Sequence, residues 1–479
     1  MIIKKIFTLI CLFPVILLIP AFTGFAQDPG ILKKISGSWS GLIKIRGMEL
    51  PMVMNISVSA RDSLTITFDS PSQGAKDIPT SKVTFKADSV MIKVKSIASL
   101  FAGKFNAGYD TIAGEWKQSG FSLPLTLVKQ EKKFAYNRPQ EPKPPYPYDT
   151  ASVVFTNDKA GITLAGTLTT PGSGGPFPAV ILITGSGPQN RDEELLGHKP
   201  FLVLADWLTR KGIAVLRYDD RGIGKSGGDF SSATTLDFAT DAEAAFDFLR
   251  KRGDIDTSKI GFIGHSEGGM IAPIVASRRP EVAFIVLMAG PGLPGDQILL
   301  MQLALISKAE GADDKSIQAN VKLSRDIYTV LKKNKDNARA EQKIRKLFSN
   351  FDGKHAADSG YQPMQEAQLA GQIKTLTSPW FRGFLIFDPV EYLSLVRCPV
   401  LAINGKLDLQ VPSEENLQAV EKALIFGGNS RYEIKELPDL NHIFQTAKTG
   451  SVTEYSKIEE TMAPVALETI SNWILGIVK

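Results

Sequence analysis

The feature that most constrains this chain is the stretch KIGFIGHSEGGMIAPIVA, residues 259–276. Residues 260–263 form a short apolar strand, and a helix is expected from about Glu267. Between them the backbone must reverse within a few residues. The pattern Gly264-His-Ser266-Glu-Gly268 supplies what such a turn needs, because a side chain at either glycine would collide with neighbouring backbone. Ser266 then sits at the apex of a strained strand-to-helix turn with its hydroxyl exposed.

The surrounding sequence repeats this alternation. Two strand-like pieces (residues 152–155 and 163–168) precede near-continuous apolar runs at residues 179–184, 213–218, 260–263 and 283–288. Helical stretches separate them, at about residues 201–211, 236–252 and 268–278. Wholly apolar strands alternating with helices imply a parallel sheet covered on both faces. After Gly290 the alternation stops for about a hundred residues. Ile317, Val321, Ser324, Tyr328 and Leu331 share one helical face, and Ile344, Leu347, Phe348 and Phe351 another. We read a helical insertion over about residues 291–388, placed where a lid would sit above the carboxyl ends of the strands. The alternation resumes with a strand at 400–404, a helix from Ser413, a strand at 432–437 and a closing helix from about Tyr455.

The N-terminal third is different. Lys4 and Lys5 precede an apolar run, and Gly24-Phe25-Ala26 ends it, which reads as a signal peptide over residues 1–26. Pro14 and Pro20 interrupt the run, which is short for a membrane span. Of two cysteines, Cys11 lies in this leader; Cys398 remains, and it is expected to be a small core residue. Residues 27–137 alternate apolar and polar positions, as in Met52, Met54 and Ile56 or Leu123, Leu125 and Leu127. This predicts an all-β, barrel-like domain in which Trp39 and Trp116 anchor the core. Residues 138–149 are rich in proline and are read as a semi-rigid linker to an α/β domain over residues 150–479. The formal charge of +5 is spread thinly, without a basic stripe, so no nucleic-acid or membrane-surface role is expected.

A serine hydroxyl attacks only when a base takes its proton and a third group orients that base. On a nucleophile elbow the expected chain order is serine, acid, histidine. Of four histidines, His198 precedes Ser266, His265 adjoins it and is expected to point the other way, and His355 lies in the polar insertion. His442, between the last strand and the last helix, is the candidate base. Asp408, four residues past the strand at 400–404, is the candidate acid, and Asp439 is its competitor. Glycines around Ser186 let backbone N–H groups approach a developing oxyanion, and the second donor is the N–H of Glu267. The Glu267 side chain itself is read as incidental, an acid in a first helical turn. Trp380 and Arg382 are candidate substrate contacts. The glycine-rich run RYDDRGIGKSGG lacks P-loop or dinucleotide spacing, and its Arg and Asp residues are expected to pair with each other. No histidines or cysteines fall at metal-ligand spacing, and no cofactor is implied.

From about Ala151 onward, ITGSGPQNRD, RYDDRGIGKSGG, GHSEGGMIAP, SPWFRGFLIFDP, CPVLAINGKLDLQVP and LPDLNHIFQ together resemble the α/β-hydrolase superfamily, and within it bacterial serine esterases of the EstD-like type. The resemblance implies a doubly wound, mostly parallel sheet, with Ser266, Asp408 and His442 as nucleophile, acid and base. It also implies hydrolysis of short acyl esters, a small-molecule substrate; the leader adds the expectation of an exported enzyme, periplasmic or extracellular. Two other readings stand beside it. One is a peptidase or amidase with the same triad, although exported peptidases of this fold usually carry a large β-propeller and the N-terminal segment here is too small for one. The other is a non-catalytic binding protein on the same scaffold.

Overall fold

A computed structural model describes residues 29–45, 48–58, 64–73, 75–118, 120–132, 136–355 and 363–479. The leader read at residues 1–26 lies outside them. After a short helix α1 (Pro29–Ile35), nine strands follow: β1 Gly37–Ile45, β2 Met48–Val58, β3 Leu64–Ser70, β4 Ala75–Pro79, β5 Lys82–Lys86, β6 Ser89–Val94, β7 Ser99–Phe105, β8 Thr111–Gln118 and β9 Phe121–Gln130. They form one antiparallel sheet in the order β4-β3-β2-β1-β9-β8-β7-β6-β5. The two edges, β4 and β5, are consecutive in the chain. Only Thr80 and Ser81 separate them, so the edges lie at most about 11 Å apart there and the sheet curls into a near-closed barrel. Trp39 and Trp116 are buried in its core as expected, Trp116 edge-on to Phe68 at 5.2 Å.

The second sheet has eight strands: β10 Tyr148–Asn157, β11 Ile162–Pro171, β12 Phe177–Ile183, β13 Ala214–Tyr218, β14 Ile255–His265, β15 Ile285–Met288, β16 Val400–Gly405 and β17 Tyr432–Leu437. Their order is β10-β11-β13-β12-β14-β15-β16-β17; β10 and β11 are antiparallel additions to a parallel remainder. The burial of both faces explains the continuous apolar runs. Along β12, Ile181 and Ile183 enter the core beneath α3 (Thr235–Arg250), α4 (Gly268–Arg278) and α11 (Ser413–Phe426). Val180 and Leu182 enter the opposite core beneath α2 (Pro200–Arg210) and α12 (Pro464–Ile477). Each such side chain, fully buried, contributes about 1.5–3 kcal/mol.

Between β15 and β16 stand α5 (Gly295–Ala309), α6 (Asp314–Lys333), α7 (Asn337–His355), α8 (Glu366–Leu376), α9 (Pro379–Ile386) and the short α10 (Val390–Leu393). They include a core of their own, with Tyr328, Leu331, Ile344, Phe348 and Phe381. Two expectations need correction. The closing helix starts at Pro464 rather than near Tyr455, because residues 455–462 spend their backbone groups elsewhere. The Tyr455 carbonyl accepts from His198, and Gln140 grips the Met462 backbone on both sides.

The proline-rich segment, read as a semi-rigid linker, is docked along the α/β unit as a strap. Arg138 is buried and donates to the carbonyls of Leu196, Gly197, Ser456 and Ile458. Tyr148 and Asp149, read as linker, already belong to β10. Leu50 of the barrel packs with Leu196, Ile443 and Tyr455 of the α/β unit, so the two units share an apolar contact.

Candidate active site

The turn after β14 has the strain its sequence implies. Ser266 adopts φ +51°, a left-handed value unusual for a residue with a side chain. Its N–H donates to the Met288 carbonyl at 2.8 Å, which ties the apex to the end of β15. The flanking glycines are there for space. A methyl group on Gly264 would lie 2.7 Å from the Gly269 nitrogen, and one on Gly268 would lie 2.8 Å from the Thr184 oxygen. Both obstacles are backbone and cannot swing away.

Two further turns converge beside this one. Asp408 follows β16, and its Oδ1 accepts the N–H groups of Gln410 (2.8 Å) and Val411 (2.9 Å). Those bonds aim Oδ2 at His442 Nδ1, 2.7 Å away. Both side chains are buried. The His442 loop is stiffened by Asn441, whose Oδ1 accepts from Ile443 and Gln445. It also interlocks with the acid's turn, since Leu407 donates to the Leu440 carbonyl at 2.9 Å. The rival acid, Asp439, is exposed at φ +59° and is part of a surface turn. The structure thus brings Asp408, not Asp439, to His442.

The turn after β12 completes the arrangement. A methyl on Gly185 would lie 3.2 Å from Ser266 Cβ, so the two turns are in contact. Among the described residues, neither the Ser186 nor the Glu267 N–H has an acceptor. The turn is fixed from behind by the RYDDRGIGKSGG segment. Asp220 accepts from Thr184 Oγ1 and the Gln189 N–H, each at 2.8 Å, and so spans the turn end to end. Asp219 takes Arg191, Arg217 pairs with Asp192, and Arg221 pairs with Asp241. The charges of this segment therefore pair outward with the neighbouring loop and α3, not with each other as expected. Burial pushes the Asp220 carboxyl well above its usual range, against the pull of its two hydrogen bonds.

The chain is similar to several known proteins. A family described as serine aminopeptidase, S33, matches residues 199–351. Esterase EstD of Thermotoga maritima is 27% identical over 313 residues, covering 65% of this chain and 65% of its own length. The protein YfhR of Escherichia coli is 34% identical over 125 residues, 26% of this chain and 41% of YfhR. Among solved structures, the α/β hydrolase GrgF from Penicillium aligns at 18% identity over 69% of this chain and 97% of its own, with a TM-score of 0.43. In these matches and in its eight-stranded sheet, the chain is similar to the α/β hydrolases.

Around this site, three side chains have surroundings that local sequence did not reveal. Glu267 is not incidental. Its carboxylate is 2% exposed and accepts from Thr235 Oγ1 (2.6 Å) and from Trp380 Nε1 (3.0 Å to each oxygen), with Ser186 also bonded to it. Burial raises its pKa, opposed by these hydrogen bonds. Trp380 therefore reaches the elbow from α9, as a candidate site residue should. Arg382 does not. Its guanidinium donates to the Leu331 and Asn334 carbonyls and to Asn337, closing the end of α6 inside the insertion. Its position two residues after Trp380 suggested the site, but the helical turn between them points it away.

The third is His265, which does not point away from the chemistry. It is buried, its ring centroid is 4.9 Å from that of His442, and it bonds to Glu193. Nothing in the adjacent sequence marks Glu193 as its partner.

Proposed function

We propose that this protein is an exported serine carboxylesterase. Ser266 attacks the ester carbonyl while His442 takes its proton and returns it to the leaving alcohol. Asp408 holds His442 in the required tautomer, and the Ser186 and Glu267 N–H groups receive the oxyanion. Water, activated by His442 in turn, releases the acid from the acyl-enzyme. The observation that carries this reading is the 2.7 Å bond from His442 to an Asp408 whose other oxygen is already occupied. That bond lies on turns adjoining the left-handed Ser266. Likeness to esterase EstD supports the ester substrate. The insertion, joined to the elbow through Trp380 and Glu267, serves as the lid. Export rests on the leader at residues 1–26.

The match to the serine aminopeptidase family favours a second reading, cleavage of small peptides or amides by the same residues. Turnover of p-nitrophenyl acetate against aminoacyl-nitroanilides separates the two. A fluorophosphonate probe tests both: the wild type should label and Ser266→Ala should not. An unlabelled wild type, or undiminished labelling of Ser266→Ala, would sink the proposal.

A further inference from the structure

His265 occupies a position that a neutral imidazole beside an ionised Glu193 cannot satisfy. Its Nδ1 lies 2.9 Å from Glu193 Oε1, and its Nε2 lies 3.0 Å from the main-chain carbonyl oxygen of His442. The carbonyl can only accept, and so can the ionised carboxylate. A neutral ring carries one N–H, so one lone pair would face an oxygen lone pair at hydrogen-bond distance. The same Glu193 oxygen also accepts the Gly185 N–H at 2.7 Å. Glu193 is held for this purpose in a left-handed conformation, φ +52°, that a residue with a side chain seldom adopts.

We infer that Glu193 and His265 hold one proton between them, with His265 an imidazolium, and act as positioning residues that lock the Gly185 turn, the Ser266 elbow and the His442 loop together. This deepens the reading of Ser266, Asp408 and His442 as a triad and rests on it. The connections are short. Glu193 grips the oxyanion turn, His265 is the residue before the nucleophile, and its far nitrogen holds the backbone of the base. The two acid–imidazole pairs sit side by side, with Glu193, Asp408 and the His442 ring facing His265. Burial would depress the His265 pKa, but the Glu193 charge and bond, with the His442 carbonyl and Asp408, outweigh it and raise it. The Glu193 charge also matters for turnover. His442 becomes an imidazolium when it takes the Ser266 proton, and a second, unneutralised imidazolium beside it would oppose that step.

The test combines a spectrum with kinetics on the full chain. Histidine-labelled protein at about pH 8 should show one ring with both nitrogens protonated, well above the ordinary histidine pKa. That signal should vanish in His265→Asn and in Glu193→Gln. A wild-type His265 with one protonated nitrogen would overturn the inference. In p-nitrophenyl acetate hydrolysis, Glu193→Gln should lower kcat by about 10–100-fold with KM nearly unchanged, because geometry and not substrate contact is lost. Glu193→Asp, which restores the charge, should recover the signal and part of the rate. Unchanged kcat in folded Glu193→Gln would refute the positioning role. The spectrum needs no turnover, so a doubly protonated His265 in a wild type that fails to label would count against the triad while upholding the shared proton.

Discussion

The substitution Asp408→Asn tests the proposed triad most sharply. Asp408 Oδ1 accepts two backbone N–H groups, from Gln410 and Val411, at 2.8 and 2.9 Å. In the variant only the amide oxygen can keep those bonds, so the amide nitrogen must face His442. Flipping the amide would set an NH2 group against two N–H donors and abandon both bonds, each contributing about 1 kcal/mol or more. His442 Nδ1 must then accept, which places the ring proton on Nε2, the atom that has to receive the Ser266 proton. The base is present but in the wrong tautomer. For a serine triad this loses roughly 10⁴ in kcat, about 5.5 kcal/mol of transition-state stabilisation. The fold should barely notice, since shape and backbone bonds survive. The assay is kcat and KM for p-nitrophenyl acetate, with thermal unfolding alongside. Asp439→Asn, at the exposed rival acid, should stay near wild type. Retention of more than about a tenth of the activity by Asp408→Asn, or an equal loss in Asp439→Asn, would refute the reasoning.

Three other outcomes are expected. Gly268→Ala forces a methyl against Ile183 and Thr184 backbone and should lower stability by about 1–3 kcal/mol or prevent folding, whereas Gly476→Ala in α12, with open space around it, should be neutral or mildly stabilising by chemical denaturation. His198, buried between Tyr455 and Thr461, has its pKa pushed down from 6.5 to about 4, chiefly by burial and then by the Arg138 charge. Because the folded pKa is depressed, its contribution is complete above pH 6.5 and is lost as pH falls toward 4, by about 3 kcal/mol in all; urea unfolding of wild type and His198→Asn should converge across that window. Arg382→Ala should weaken the insertion and affect neutral and acidic esters equally; selective loss on acidic esters would return Arg382 to the substrate site.

What was legible in the sequence is what short-range sterics and periodicity enforce. A β12 buried on both faces must be apolar at every position, and a turn as tight as that at Ser266 must have Gly264 and Gly268 where backbone passes close by. The pairing of Asp408 with His442 could likewise be read, because the fold dictates which strand ends those turns follow. Arg382 shows where this reasoning stops: adjacency to Trp380 in sequence said nothing about which way each side chain turns from α9.

The tertiary structure alone decided the partners of buried polar groups. Glu193 meets His265 across 72 residues, Trp380 meets Glu267 across 113, and Arg138 reaches Ser456 across 318. Such pairs leave no local pattern. A buried charge needs some partner, but which one depends on how whole elements pack. The elbow could therefore be recognised from eighteen consecutive residues. The machinery that holds it in place could not, because it is assembled from loops that meet only when both faces of the sheet are covered.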